Sequence, residues 1–139
     1  MSRLTKLAAS LLILVSAPCL ADRCMAYRGE VELRGALSRH TFAEEPNYES
    51  IAQGDAAASY FFVVPSRPSC VLAGKPNENE PAEKHVERVQ LVFPLHEAGY
   101  RVLHPYVGRT VVCRGSLMHA ISGHHHSSVL LADAVCIGD

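Results

Sequence analysis

The sequence predicts an all-β fold with one short helix, a small OB-like five-stranded β-barrel, and three observations carry that reading. Short runs rich in β-branched and aromatic residues are separated by stretches holding Gly, Pro, Asn and Asp, the punctuation of strands and turns. The stretch with helical spacing, 97–107, falls between the third and fourth strand candidates, where an OB-type fold places its helix. VELRGAL at 31–37 and VVCRGSL at 111–117 share the pattern VxxRGxL, as expected of two barrel strands that each need a glycine at a bend.

Taken in order, the chain begins with an export signal. Arg3 and Lys6 precede an apolar run at 7–15, and Ser16, Ala17, Pro18, Cys19, Leu20 and Ala21 follow as a small-residue cleavage region. The run is far shorter than the roughly 20 apolar residues that span a bilayer. Residues 1–21 are therefore expected to be removed after Ala21, leaving 22–139 as a single domain in the periplasm or outside the cell, with no further membrane attachment. Pro18 fits poorly before a lipidated Cys19, so a soluble product is expected. The 139 residues suffice for one domain and not two.

Loss of Cys19 leaves Cys24, Cys70, Cys113 and Cys136, an even number for an oxidising compartment. If 111–119 and 128–137 form a hairpin about the turn at 123–126, Cys113 and Cys136 are equidistant from its centre and face each other. Cys24 is then left to pair with Cys70. The absence of CxxC spacing argues against a zinc site built from these thiols.

The first strand is expected around 31–37, with Gly35 marking a bulge or bend. Residues 41–57 hold Pro46, Asn47, Gly54 and Asp55 and read as a long loop. SYFFVV at 59–64 is the second strand, ended by Pro65 and Pro68. GKPNENEPAEK at 74–84 is a polar excursion expected to be mobile. Val89, Leu91 and Phe93 alternate as the third strand, and the short helix is limited by Gly99 and Pro105. The hairpin supplies strands four and five.

An OB-type fold binds ligands through the loops joining strands one to two and four to five. Here those loops, 41–57 and 120–127, are also the chemically distinctive stretches. The second brings His119 together with His124, His125 and His126. In extended chain His124 and His126 share a face while His125 turns away, and His119 can lean across the turn. His119, His124 and His126 are thus candidate ligands for zinc or copper, the alternative being a solvated turn. A carboxylate ligand would have to come from elsewhere in the chain. The first loop offers Asn47, Tyr48, Glu49, Ser50 and Asp55 as candidate ligand-binding residues, beside Glu44 and Glu45. An OB-like fold would bring the two loops to one end as a composite site.

GSLMHAISGHHHSSVLL at 115–131 resembles the GTLFHAHTGHHHTPVLL signature of small exported bacterial proteins in the domain of unknown function 4431 family. RGALSRHTF and PNYESIAQGD at 34–42 and 46–55, then SYFFVV, PSCV and RVQLVF, resemble the rest of that pattern in the same order. Ile121 stands where the signature has a further His, Met118 replaces Phe, and Ser128 replaces Pro. The resemblance implies the domain limits and the two-loop site; it implies no reaction.

Composition narrows the functional classes. Thirteen Lys and Arg against 14 Asp and Glu, for a net charge of −1, give no basic footprint for nucleic acid. There is no GxSxG, no HExxH and no phosphate-binding glycine loop, so catalysis is not the expected role. The expectation is a monomeric binding module for a small ligand or a divalent metal, with a protein partner as the alternative and a metal-dependent hydrolase as the remoter one.

Overall fold

The computed structural model describes residues 24–94 and 96–139. The expected leader, with its cleavage point after Ala21, lies outside the described residues. Among the described residues seven strands form, β1 Met25–Ala26, β2 Glu30–Ala43, β3 Ala57–Pro65, β4 Val71–Leu72, β5 Val89–Leu91, β6 Thr110–His119 and β7 Val129–Gly138, with the helix α1 His96–Leu103 between β5 and β6. Five of them close into a ring in the order β2-β3-β5-β7-β6. Neighbours are antiparallel except β5 and β7, which run parallel through Gln90 opposite Leu130 and Leu91 opposite Leu131. Counting only the ring strands, the order is one-two-three-five-four with the helix after the third, the arrangement expected from the sequence.

Closure by five strands requires β2 to serve two neighbours at once. Its first half, 30–36, pairs with β6, and its second half, 35–43, with β3. Gly35 sits at the handover, opposite Val111 on one side and Pro65 on the other. A Cβ there would lie 2.0 Å from the Val64 carbonyl oxygen, so the close approach of β3 demands glycine. Where a bulge or bend is expected, at Gly35, the register stays regular on both sides, and it is at the second copy of the motif that the β6–β7 register shifts, between Arg114 and Ser116. A Cβ on Gly115 would meet the Ala132 carbonyl oxygen at 2.4 Å. Both glycines of the VxxRGxL motif therefore let a strand bend against its neighbour's backbone.

Inside the ring, Leu33, Leu37, Phe61, Val63, Val89, Leu91, Val111, Leu117, Val129 and Leu131 form a continuous apolar core. Burying each such side chain contributes about 1.5–3 kcal/mol. Cys113 faces Cys136 across β6 and β7, and the two are disulfide-bonded, as are Cys24 and Cys70. The second bridge fastens β1 beside β4, with which it pairs in parallel.

Two expectations are corrected. The first long loop is 44–56, not 41–57, because Thr41, Phe42 and Ala43 pair with Ser59, Ala58 and Ala57. The Thr41 and Ser59 hydroxyls, 2.7 Å apart, add a cross-strand hydrogen bond. The polar 74–84 excursion is fastened rather than loose. Val71 and Glu83 exchange backbone hydrogen bonds, Gly74 N–H donates to the Glu80 carbonyl at 2.8 Å, and Tyr27 Oη donates to the Pro81 carbonyl at 3.0 Å. Arg28 pairs with both Glu78 and Glu80. Burial, with Glu83 and Glu80 nearby, pushes the Tyr27 phenol up to about 12.

Candidate functional site

The loop 44–56 is organised by Asp55. Its carboxylate, 5% exposed as a residue, accepts the backbone N–H of Asn47, Glu49 and Ser50 and the Asn47 side-chain amide, at 2.8–3.1 Å. The Ser50 and Glu49 hydrogen bonds, outweighing desolvation, hold the Asp55 carboxyl below its usual range. Tyr48 lies in the middle of this clamp, at φ 60, in the left-handed region that side chains rarely adopt. Its N–H donates to the Glu44 carbonyl at 2.9 Å. The result aims the Tyr48 ring at the other loop, edge-on to His124 with centroids 5.7 Å apart. Gly123 passes beneath that ring, where a Cβ would meet Tyr48 Cε1 at 3.1 Å.

The histidine loop is fixed from the opposite side by β5. Gln90, buried at 2% exposure, donates from Nε2 to the His124 carbonyl at 3.0 Å and accepts the His126 N–H at 2.6 Å. Arg88 donates to the His126 carbonyl, and Ser127 donates to the Arg88 carbonyl. The His126 ring then stacks on Phe42, with centroids 3.8 Å apart and planes 2° from parallel. His125 turns away, as extended-chain geometry expects, and its Nδ1 accepts the Ile121 N–H at 2.9 Å. Burial, together with the flanking His124 and His126, pushes the His125 imidazole below its usual value.

Between the loops lies Glu44, at the end of β2 and 5% exposed. Its Oε1 accepts from Tyr60 Oη at 2.8 Å and from His126 Nε2 at 3.0 Å. Its Oε2 accepts from His124 Nδ1. Burial alone would raise this carboxyl, but the hydrogen bonds from His126, Tyr60 and His124 together outweigh it and hold the group below its usual range. The Tyr60 phenol is pushed well up, by burial and then by Glu44. Beside this cluster a cavity of about 270 Å³ opens, walled by Leu91, Val92 and Tyr100 and bordered by Tyr60, Gln90, His124 and His125.

The sequence-derived candidates are thus divided. Tyr48, His124 and His126 come together from the two loops, around the carboxylate of Glu44, the first residue of the first loop. Asn47, Glu49, Ser50 and Asp55 hydrogen-bond within their own loop. His119 packs edge-on to Tyr27, centroids 6.0 Å apart, with its Nδ1 3.5 Å from the Tyr27 hydroxyl. Among the described residues no group of three or more His, Cys, Asp or Glu side chains is arranged to hold a metal ion. Glu44 spends its oxygens on N–H and O–H donors. Tyr60 and Gln90, both central, were not singled out as site residues; one sits in a hydrophobic strand, and the other is the polar middle of an alternating one.

No curated protein and no solved structure matches the chain. A family model described as Domain of unknown function (DUF4431) matches residues 88–135, which hold β5, α1, β6, the histidine loop and most of β7. Glu44, Tyr48 and Tyr60 lie before that match. The matched segment contains the histidine signature, which resembles that same family.

Proposed function

We propose that this chain is an exported binding module that takes a small organic ligand in the cavity beside the Glu44 cluster, bordered by β3, β5, α1 and the histidine loop. One observation carries the reading. A buried carboxylate holds Tyr60 and His124 by hydrogen bonds, and these two residues, with Gln90 and His125, form the polar border of a cavity whose other walls are Leu91, Val92 and Tyr100, the usual make-up of a ligand pocket. Two disulfides support a working place outside the reducing cytoplasm. Among the described residues no helix is long and apolar enough to cross a membrane.

A fragment screen read by amide chemical shifts tests the proposal. Hits are expected to perturb Gln90, Leu91, Val92, His124 and His125 together, and Val92→Trp, which fills the cavity, is expected to weaken them at least tenfold. Hits that map elsewhere, or survive Val92→Trp unchanged, would remove the reading. Elemental analysis of untagged protein from the periplasm runs beside it. One equivalent of zinc or copper, lost in a His124→Ala, His126→Ala double variant, would replace the organic ligand with a metal.

A further inference from the structure

We propose that the cavity selects a neutral molecule presenting a hydrogen-bond donor beside an acceptor, a carboxamide or hydroxyl edge on an apolar body, and discriminates against carboxylates. This rests on the small-ligand reading above and specifies what the site recognises.

The protons of the histidine loop fix which hydrogen-bonding groups face a ligand. A carboxylate only accepts, so an imidazole nitrogen bonded to Glu44 carries its hydrogen. His124 therefore bears hydrogen on Nδ1. A neutral imidazole has one N–H, which leaves His124 Nε2 as a bare acceptor. His125 is the reverse: its Nδ1 accepts the Ile121 N–H, so Nε2 carries the proton and donates. Both residues border the same cavity. Adjacent residues thus present it with opposite hydrogen-bonding faces, one acceptor and one donor.

The other polar groups at the cavity are already engaged. Gln90 uses its amide nitrogen on the His124 carbonyl and its oxygen on the His126 N–H. The Tyr60 hydroxyl gives its hydrogen to Glu44. Leu91 and Val92 are left to pack a hydrocarbon body. A carboxylate entering here would set its own lone pairs against those of His124 Nε2, with the Glu44 charge directly behind the ring. Arg39, whose charge is felt at Tyr100, is held on the Ser59 hydroxyl at 3.0 Å. An amide edge meets both faces at once, its N–H to His124 and its carbonyl to His125.

The experiment uses the wild-type mature chain at pH 8, above the ordinary imidazole value of about 6.5. Long-range ¹H–¹⁵N spectra first assign the tautomers. Hydrogen on Nδ1 of His124 and on Nε2 of His125 is expected, and the opposite tautomer at either ring overturns the proposal. Benzamide, benzoate and toluene are then titrated in parallel. Benzamide is expected to bind at least tenfold more tightly than the other two and to shift both imidazoles together with Leu91 and Val92. Benzoate or toluene binding in the cavity as well as benzamide would overturn the selectivity and leave the small-ligand reading standing. No shift of cavity residues by any of the three at millimolar concentration would overturn both.

Discussion

Asp55 and Glu44 close the same loop from opposite ends and are equally withdrawn from water, yet they build different things. Asp55 takes its donors from Asn47, Glu49 and Ser50, at most eight residues away, and three of the four are backbone N–H groups. Glu44 takes all three of its side-chain donors from Tyr60, His124 and His126, 16 to 82 residues away. A carboxylate satisfied by nearby backbone gives a loop its shape. One satisfied by distant side chains ties separate elements together and fixes where their protons sit. That contrast separates a structural acid from a site acid without reference to exposure, which is the same for both.

The largest effect should come from Asp55→Asn. The amide keeps one acceptor but places an NH₂ against backbone N–H groups that the carboxylate had bonded, and the clamp holding Tyr48 at φ 60 opens. Thermal unfolding is expected to show Tm lower by on the order of 5–10 °C, with faster proteolysis within 44–56. The pH dependence has a definite sign. Asp55 is more acidic folded than its ordinary 3.8, so its contribution is complete above that value and disappears as pH falls through the folded one. The Tm gap between wild type and variant should hold steady from pH 8 to 5 and narrow below about 3.8. A gap that widened in acid would show Asp55 to be protonated in the native loop.

Glu44→Gln should cost less stability and more organisation. Its NH₂ would confront at least one of the N–H and O–H donors now facing the carboxylate, but the backbone bonds of Gln90 still hold the histidine loop. Tm is expected to fall by on the order of 2–5 °C, less than for Asp55→Asn. The imidazole ¹⁵N shifts of His124 and His126 should move strongly while His125, held by Ile121, barely changes. A larger loss of stability than at Asp55, with unmoved imidazole signals, would reverse the assignment of the two acids.

The contrast also explains what the sequence disclosed. Strand order and the ring were legible because apolar alternation and the hairpin symmetry of Cys113 and Cys136 are local or nearly local signals. The end of β2 was not: nothing between Thr41 and Pro46 breaks a strand, and only pairing with Ala57, Ala58 and Ser59 shows that the ladder continues. Glu44 was therefore one acidic loop residue among several. Its role depends on Tyr60 and on a histidine loop 80 residues away, joined to it by the closure of the ring. His124 and His126 were legible as a pair because their spacing of two puts them on one face. His119 belongs to β6, and the packing of β1 sets Tyr27 against it.

The smallest effect, and the finest test of how the Asp55 clamp serves the Glu44 site, belongs to Tyr48. Its hydroxyl reaches only the exposed Glu45 carboxylate, at 3.4 Å, whereas its ring packs against His124 and over Gly123. Tyr48→Phe should thus leave Tm within about 2 °C of wild type and leave benzamide binding unchanged. Tyr48→Gly separates backbone from ring. Glycine adopts φ 60 without strain, so the clamp survives and Tm should again stay close to wild type, but His124 loses its edge-on neighbour. Broadened His124 imidazole signals and weaker benzamide binding in Tyr48→Gly alone would show that the first loop reaches the site through this ring. Equal loss in both variants would assign the contribution to the hydroxyl instead, and with it a direct part for Glu45.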